Sequence, residues 1–310
     1  MIIRDRTGRA ALLLAFGEHP GENHGISFDA DRNFFKSTVL PFLEEQVIRC
    51  GKKAFVIHEY NVGIDLRGFE KGNAKDEKIV SEILMKTEEK ANNAFSSSLN
   101  AGLPLAPELG WFDWGYAERI AQMNKDNPGA IRNIVEPLKP GTAWHMWEQS
   151  VALERSSACC FSESVEIEID MIRRSIEICL ERSRRVVALV KAIREADPHT
   201  AIVVPRGFAH RGMSGDFDYS EFEMQVSYNL QGVPLFSSEA IIESFGRKLG
   251  EEELRRYAML SLHYEEYIRT TGLKKISRDG LPPTREDIRG MWVDARKHAL
   301  ETLGVAVNNR

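Results

Sequence analysis

Two stretches of the chain share the pattern Gly-x-x-His, and their histidines have the chemistry of a base or a metal ligand. The stretches are residues 21–24 and residues 207–210, and each follows closely on a short apolar run. Glycine permits a sharp turn, so a histidine three residues later can point back over the end of the preceding element. The repetition favours a shared role for His24 and His210 over two unrelated structural histidines.

Three carboxylates also follow the apolar runs, where they could act together with these imidazoles. Glu59 comes one residue after an apolar run, and Glu18 and Glu22 lie in the first glycine-rich loop. Two imidazoles with one or two carboxylates suit a divalent transition metal that keeps positions open for water, or a metal-free site in which His or Glu deprotonates water. The alternative for Glu59 is a carboxylate that caps a helix or pairs with an arginine. His58 is a weaker candidate, because side chains alternate along a strand and it would face away from Glu59.

A long amphipathic helix is predicted over residues 166–195, and it carries the candidate cation Arg182. Its stripe has apolar residues at steps of three and four, with Ser183 as the exception. Arg182 lies on the flank of this stripe, from where a guanidinium could orient a carboxylate or stabilise a developing oxyanion. The alternative, from spacing alone, is that Arg182 forms a solvated basic patch with Arg184 and Arg185.

Three apolar runs must position these residues. Residues 10–16, 54–57 and 201–204 are continuous rather than alternating, which is typical of strands buried on both faces of a parallel sheet. A helix predicted over residues 31–49 and the long helix make the crossovers that parallel strands need. The loops that carry the candidate residues should therefore meet at one edge of the sheet, where open α/β folds bind ligands.

The predicted fold class is α/β, with a central, mainly parallel sheet flanked by helices, and one such domain over residues 1–310. Residues 61–160 are expected to form a mostly helical insertion with a further strand at residues 131–136. This insertion holds four of the five tryptophans, which suit either a ligand pocket or the core of a cover over the sheet. Residues 235–310 are expected to be helical, with a capping box that begins at Thr284.

Composition excludes several classes of protein. The chain has 310 residues, of which 43% are hydrophobic and 28% charged, as is typical of globular proteins. Its 41 basic and 46 acidic residues give a net charge of -5, which offers no basic footprint for nucleic acid. The early apolar run is too short to span a membrane, and the four cysteines form no disulfide framework. We therefore expect a cytoplasmic protein that acts on a small molecule, without a nucleic-acid or membrane partner.

Taken together, the motifs resemble the superfamily that unites erythromycin esterases, TraB, ChaN-like proteins and the Tiki metalloproteases. Members are similar in having two Gly-x-x-His motifs, a glutamate after the second strand and a helical Glu-Arg-Asn-x-x-Met motif. The corresponding stretches of this chain are residues 21–25, 55–59, 181–186 and 207–210. The Gly-Glu-Asn-His-Gly of the first stretch is especially similar to erythromycin esterases. In the helical motif, Ser183 and Val186 stand where the family has Asn and Met.

The resemblance implies a hydrolytic site, or in ChaN-like relatives a haem-binding one. Its catalytic residues would be Glu22, His24, Glu59, Arg182 and His210. We expect cleavage of an ester, lactone or amide bond by water that His24 activates, or by water on a divalent ion of the manganese, cobalt or zinc class held by His24, Glu59 and His210. The alternative is a non-catalytic protein that binds haem or another small ligand there. Glu18 and His19 could instead be the glutamate and histidine of the first motif, in a second register of the alignment with the family.

Overall fold

Five strands form one parallel sheet at the centre of the fold. The computed structural model describes residues 9–17, 29–58, 85–86, 88–89, 92–93, 114–136, 158, 160–228, 235–276 and 284–305. The strands are β1 (Ala10–Gly17), β2 (Ala54–His58), β3 (Ile131–Val135), β4 (Ala201–Gly207) and β5 (Phe222–Tyr228). Their order in the sheet is β3-β2-β4-β1-β5, and every pairing is parallel. The predicted α/β class with a central parallel sheet is therefore confirmed.

The continuous apolar runs are strands because helices or neighbouring strands cover both of their faces. The side chains of Leu12, Leu13 and Leu14 are all fully buried, although successive residues of a strand point to opposite faces. The strand predicted at residues 131–136 is also present as β3. The strand β5 is not predicted by the sequence pattern. It is an edge strand in which Phe222 is buried and Glu223 exposed, so it lacks a continuous apolar run.

Helices cover one face of the sheet as the first crossover predicts. The helix α1 (Asp29–Leu43) continues through a wider π-helical turn (Glu44–Arg49), and Gly51 then adopts a φ of 70° that favours glycine. Residues of α1, of this turn and of α2 (Trp114–Asp126) form one core with the sheet. These two helices supply much of what buries the apolar strands on this face.

The long helix α3 (Phe161–Ala196) has 36 residues and begins five residues before its predicted start. The contacts divide the chain into two units, one of Met1–Trp144 with Leu180–Asn229 and the other of His145–Cys179 with Leu230–Arg310. The C-terminal half of α3 belongs to the first unit, where Arg194 lies 5.8 Å from the centre of the Phe222 ring. This half reaches the face of the sheet opposite α1. Ala11 of β1 belongs to the core on the α1 side, so the side chain of its neighbour Ala10 points to the other face. Phe222 pairs with Ala10 and therefore points to that other face too.

The second unit is helical in its described part. After the first half of α3 it contains α4 (Phe236–Ser244), α5 (Glu251–Tyr267), α6 (Leu273–Ile276) and α7 (Arg285–Thr302). Val165, Ile169 and Ile172 of α3 share a core with α4 and α5 residues. The predicted capping box is present at the start of α7, where Asp287 N donates to Thr284 Oγ1 at 3.2 Å.

Much of the insertion predicted at residues 61–160 lies outside the described ranges. Of this insertion, the structure describes α2, β3 and a few helical residues. The single domain over residues 1–310 stays a prediction. Within the described ranges, no helix has both the length and the apolar character that crossing a membrane requires.

Candidate functional site

A buried carboxylate lies between two guanidinium groups at the carboxyl edge of the sheet. The Glu136 Oε1 atom accepts a hydrogen bond from Arg182 Nε at 2.5 Å, and Oε2 accepts one from Arg182 Nη2 at 3.1 Å. Arg206 Nη2 lies 3.0 Å from the same Oε2 atom. The side chains of Glu136 and Arg206 are each 1% exposed, whereas that of Arg182 is 16% exposed. We call Glu136, Arg182 and Arg206 the buried ion cluster.

Three different elements build this cluster. Glu136 directly follows β3, and its backbone N–H donates to the carbonyl of His58 at the end of β2, at 3.0 Å. Arg206 lies in β4 opposite Phe16 of β1, and Arg182 reaches the cluster from α3. A bidentate guanidinium–carboxylate pair fixes the relative position of its partners. The cluster therefore ties the carboxyl ends of β3 and β4 to the middle of α3.

His210 lies at the same edge, in a 3₁₀ segment (Phe208–Asp216) that directly follows β4. Its imidazole is buried, and its Nδ1 atom is 2.8 Å from the hydroxyl Oγ of Ser183, which is also buried. Ser183 follows Arg182 on α3. Neighbouring residues of one helix thus hold the buried ion cluster and the His210 imidazole at the ends of two different strands.

His58 is a third buried polar group at the end of the sheet. Its Nε2 atom is 3.1 Å from Asn133 Oδ1, and its side chain is fully buried. Burial lowers the pKa of His58 to about 4; the hydrogen bond with Asn133 opposes this shift, and the charge of Arg206 adds to it. The imidazole of His58 is therefore neutral near pH 7.

The burial of His58 is expected to make the stability of the fold depend on pH in the acid range. The unfolded chain binds a proton at this histidine near pH 6.5 and the folded chain only near pH 4, so the free energy of unfolding falls as the pH falls between these values. We expect this contribution to decrease by about 2 kcal/mol from pH 7 to pH 5. Urea titration at both pH values measures it.

The variant His58→Gln should show a shallower pH dependence than the wild type by that amount. His199, an exposed histidine in the turn between α3 and β4, supplies the matched control, and His199→Gln should keep the wild-type dependence. Equal pH dependence in His58→Gln and the wild type would refute the burial of a neutral imidazole.

The structure describes two of the five predicted catalytic residues, and it brings both to the carboxyl edge. Arg182 lies there in the buried ion cluster, and His210 lies there beside Ser183. The solvated-patch alternative fits Arg184, which is exposed, but not Arg182. Glu22, His24 and Glu59 lie outside the described residues, as do Glu18 and His19 of the second register.

The predicted metal site also depends on residues that lie outside the described ranges. In the part of the chain that the structure describes, no group of three or more His, Cys, Asp or Glu side chains is arranged to hold a metal ion. Of the three predicted ligands, only His210 belongs to that part. A divalent ion held by His24, Glu59 and His210 stays a prediction.

Three residues of this edge were not among the sequence candidates: Glu136, Arg206 and Asn133. Glu136 carries a signal similar to that of Glu59, since each is a glutamate directly after a short strand. Arg206 is a single basic residue at the end of a buried run, followed by the glycine of the second Gly-x-x-His. A buried charge needs an opposite charge nearby, so Glu136 and Arg206 could have been predicted from the sequence as an ion pair.

The fold and this edge define an α/β protein with a five-stranded parallel sheet and a buried polar site at the strand ends. Comparisons of the chain with protein-family models, with curated proteins and with solved structures find no match. The resemblance to the erythromycin esterase and Tiki superfamily stays a prediction.

Proposed function

We propose that this chain is a hydrolase that cleaves an ester, lactone or amide bond at the carboxyl edge of its sheet. The observation that carries the proposal is the pair of neighbouring residues on α3, because Arg182 binds Glu136 while Ser183 binds His210. A single helix thus contacts both an imidazole and a guanidinium–carboxylate cluster at the sheet edge where α/β folds bind ligands. Imidazole, carboxylate and guanidinium groups can activate a water molecule and stabilise the charge that develops in hydrolysis.

The roles follow from the chemistry of each group. His24 takes a proton from the attacking water, and His210 supplies the second imidazole of the site. Glu22 and Glu59 would supply carboxylates to the same site. Arg182 is the most exposed member of the buried ion cluster, with 16% of its side chain accessible, which suits a role in steadying the substrate or the developing oxyanion.

The proposal has a metal-dependent form that uses the same residues. A divalent ion of the manganese, cobalt or zinc class would supply a Lewis acid for the carbonyl group. His24, Glu59 and His210 would hold it, since imidazole nitrogen and carboxylate oxygen suit these metals. Because His210 Nδ1 faces Ser183, its Nε2 atom is the nitrogen that would face the ion.

Two measurements on the purified chain test the proposal together. A panel of p-nitrophenyl esters should reveal turnover that exceeds the background rate, and elemental analysis should separate the metal-dependent form from the metal-free form. The absence of turnover on every ester, with and without added Mn²⁺, Co²⁺ or Zn²⁺, would count against a hydrolase of this kind. A Soret shift on titration with haem, without ester turnover, would support the ligand-binding alternative.

A further inference from the structure

We propose that Tyr228 is a substrate-binding residue of this edge, and that the substrate carries an aromatic ring on its acyl part. Tyr228 is the last residue of β5, and it is 47% exposed. A single exposed tyrosine is ordinary on a protein surface. Tyr228 differs because its ring stacks on a buried aromatic ring and shares a row of the sheet with the buried ion cluster. Its part in turnover rests on the proposed function, whereas its contact with an aromatic ligand can be measured without turnover.

The ring of Tyr228 is supported by the ring of Phe16. The two ring centres are 5.9 Å apart and the ring planes are inclined by 20°, so the rings stack. Phe16 is fully buried in β1, while about half of Tyr228 faces solvent. An aromatic side chain that is ordered before a ligand arrives loses little conformational entropy on binding. It therefore offers a prepared surface on which a second aromatic ring can pack.

The register of the sheet places this stack beside the buried ion cluster. Phe16 pairs with Tyr228 on one side and with Arg206 on the other. Residues paired in this way point to the same face of the sheet. That face is the one that α3 covers, because Arg206 and Arg182 of α3 meet at Glu136. Two strand spacings, about 10 Å, separate the backbones of Arg206 and Tyr228.

The topology of the sheet favours a ligand at the same place. The strands β1 and β4 are neighbours, but the chain leaves β1 toward β2 and leaves β4 toward β5, in opposite directions across the sheet. Open α/β sheets bind ligands at the carboxyl ends of strands that diverge in this way. Phe16 and Arg206 pair near that end of β1 and β4. A ligand bound there has the buried ion cluster on one side and the Tyr228 ring on the other.

An aromatic carboxylic acid, the product of the proposed cleavage, fits both sides of this place. Its carboxylate suits the guanidinium of Arg182, which is the most exposed member of the buried ion cluster. Its ring suits the exposed ring of Tyr228. The acid 4-phenylbutanoate has both groups on a short chain, and butanoate has the same chain without the ring. These two acids are therefore a matched pair of probes.

Nuclear magnetic resonance of the full chain with ¹³C-labelled tyrosine measures the contact directly. The Tyr228 signals are assigned as those that Tyr228→Phe removes. We expect 4-phenylbutanoate to shift the ring signals of Tyr228 and to bind about 10-fold more tightly than butanoate. Tyr219, which is 63% exposed and precedes β5 at its other end, is the internal control and should not shift. Unshifted Tyr228 signals, or equal affinities for the two acids, would overturn the proposal.

Two substitutions separate the aromatic contact from the stability of the fold. Tyr228→Leu still covers Phe16 but has no ring, so it should lose most of the preference for 4-phenylbutanoate, while Tyr228→Phe should keep it. Circular dichroism shows that each variant is folded. Tyr219→Leu should keep the wild-type preference, since it removes an exposed tyrosine at the other end of the strand. A preference that survives in folded Tyr228→Leu would also overturn the proposal.

Turnover of the two methyl esters tests the role of Tyr228 in the reaction. In Tyr228→Leu, the ratio of kcat/KM for methyl 4-phenylbutanoate to that for methyl butanoate should fall by about 10-fold. Tyr228→Phe and Tyr219→Leu should keep the wild-type ratio, and an unchanged ratio in Tyr228→Leu would contradict the role. Failure of the wild type to hydrolyse any ester would refute the proposed function, while the binding of the two acids would still decide whether Tyr228 contacts an aromatic ligand.

Discussion

Replacing Glu136 with glutamine is expected to lower the free energy of unfolding by about 3–5 kcal/mol. The carboxylate of Glu136 receives two hydrogen bonds from Arg182 and lies 3.0 Å from Arg206 Nη2. Its neutral replacement would leave both guanidinium groups without this counter-charge in a region that water hardly reaches. Breaking a buried ion pair from one side costs far more than the pair contributes, because the remaining charge is still desolvated. Urea denaturation of the wild type and the variant measures the difference.

Glu44 provides the matched control, since its carboxylate also binds an arginine, Arg119, at 2.8 Å. The side chains of that pair are 40% and 43% exposed, so solvent screens their attraction. Glu44→Gln should therefore cost no more than about 1 kcal/mol. Similar losses in Glu136→Gln and Glu44→Gln would mean that burial does not increase the contribution of the Glu136 carboxylate to the free energy of unfolding.

Replacing His210 with alanine is expected to lower ester turnover by at least about 100-fold, which is the lower end of the contribution of a positioned acid or base. The imidazole is buried and hydrogen-bonded to Ser183, so its removal takes a positioned group out of the site. Steady-state kinetics on the best p-nitrophenyl ester measures the effect, and circular dichroism shows that the variant is folded. The exposed His199 is the control, and His199→Ala should keep full activity. Full activity in His210→Ala would reject its role in the site.

The sheet could be predicted from the sequence where strands are buried on both faces. The strands β1, β2 and β4 are continuous apolar runs, and short runs of that kind, in a chain with long crossover helices, are typical of the inner strands of a parallel sheet. The edge strand β5 could not be recognised in the same way, because Glu223 and Gln225 are exposed. Its pairing with β1 is settled by tertiary contacts rather than by local sequence.

The candidate site shows the same division between local and tertiary information. The position of Arg182 on the flank of the apolar stripe is a property of one helix, and spacing predicts it. Its partner Glu136 is 46 residues away and belongs to another element, so the pair depends on the register of the whole fold. Ser183 is visible in the sequence as a polar exception in the stripe, but its contact with His210 becomes visible only in the folded chain.

A double-mutant cycle on His24 and His210 tests the central claim most directly, namely that two imidazoles distant in sequence act in one site. Residues that act as a unit have strongly non-additive effects on turnover. For His24→Ala, His210→Ala and the double variant, measured on the same p-nitrophenyl ester, we predict that each single change lowers turnover by at least about 100-fold and that the double change is no worse. Full activity in either single variant, or a double variant whose loss is the product of the two single losses, would contradict a shared site.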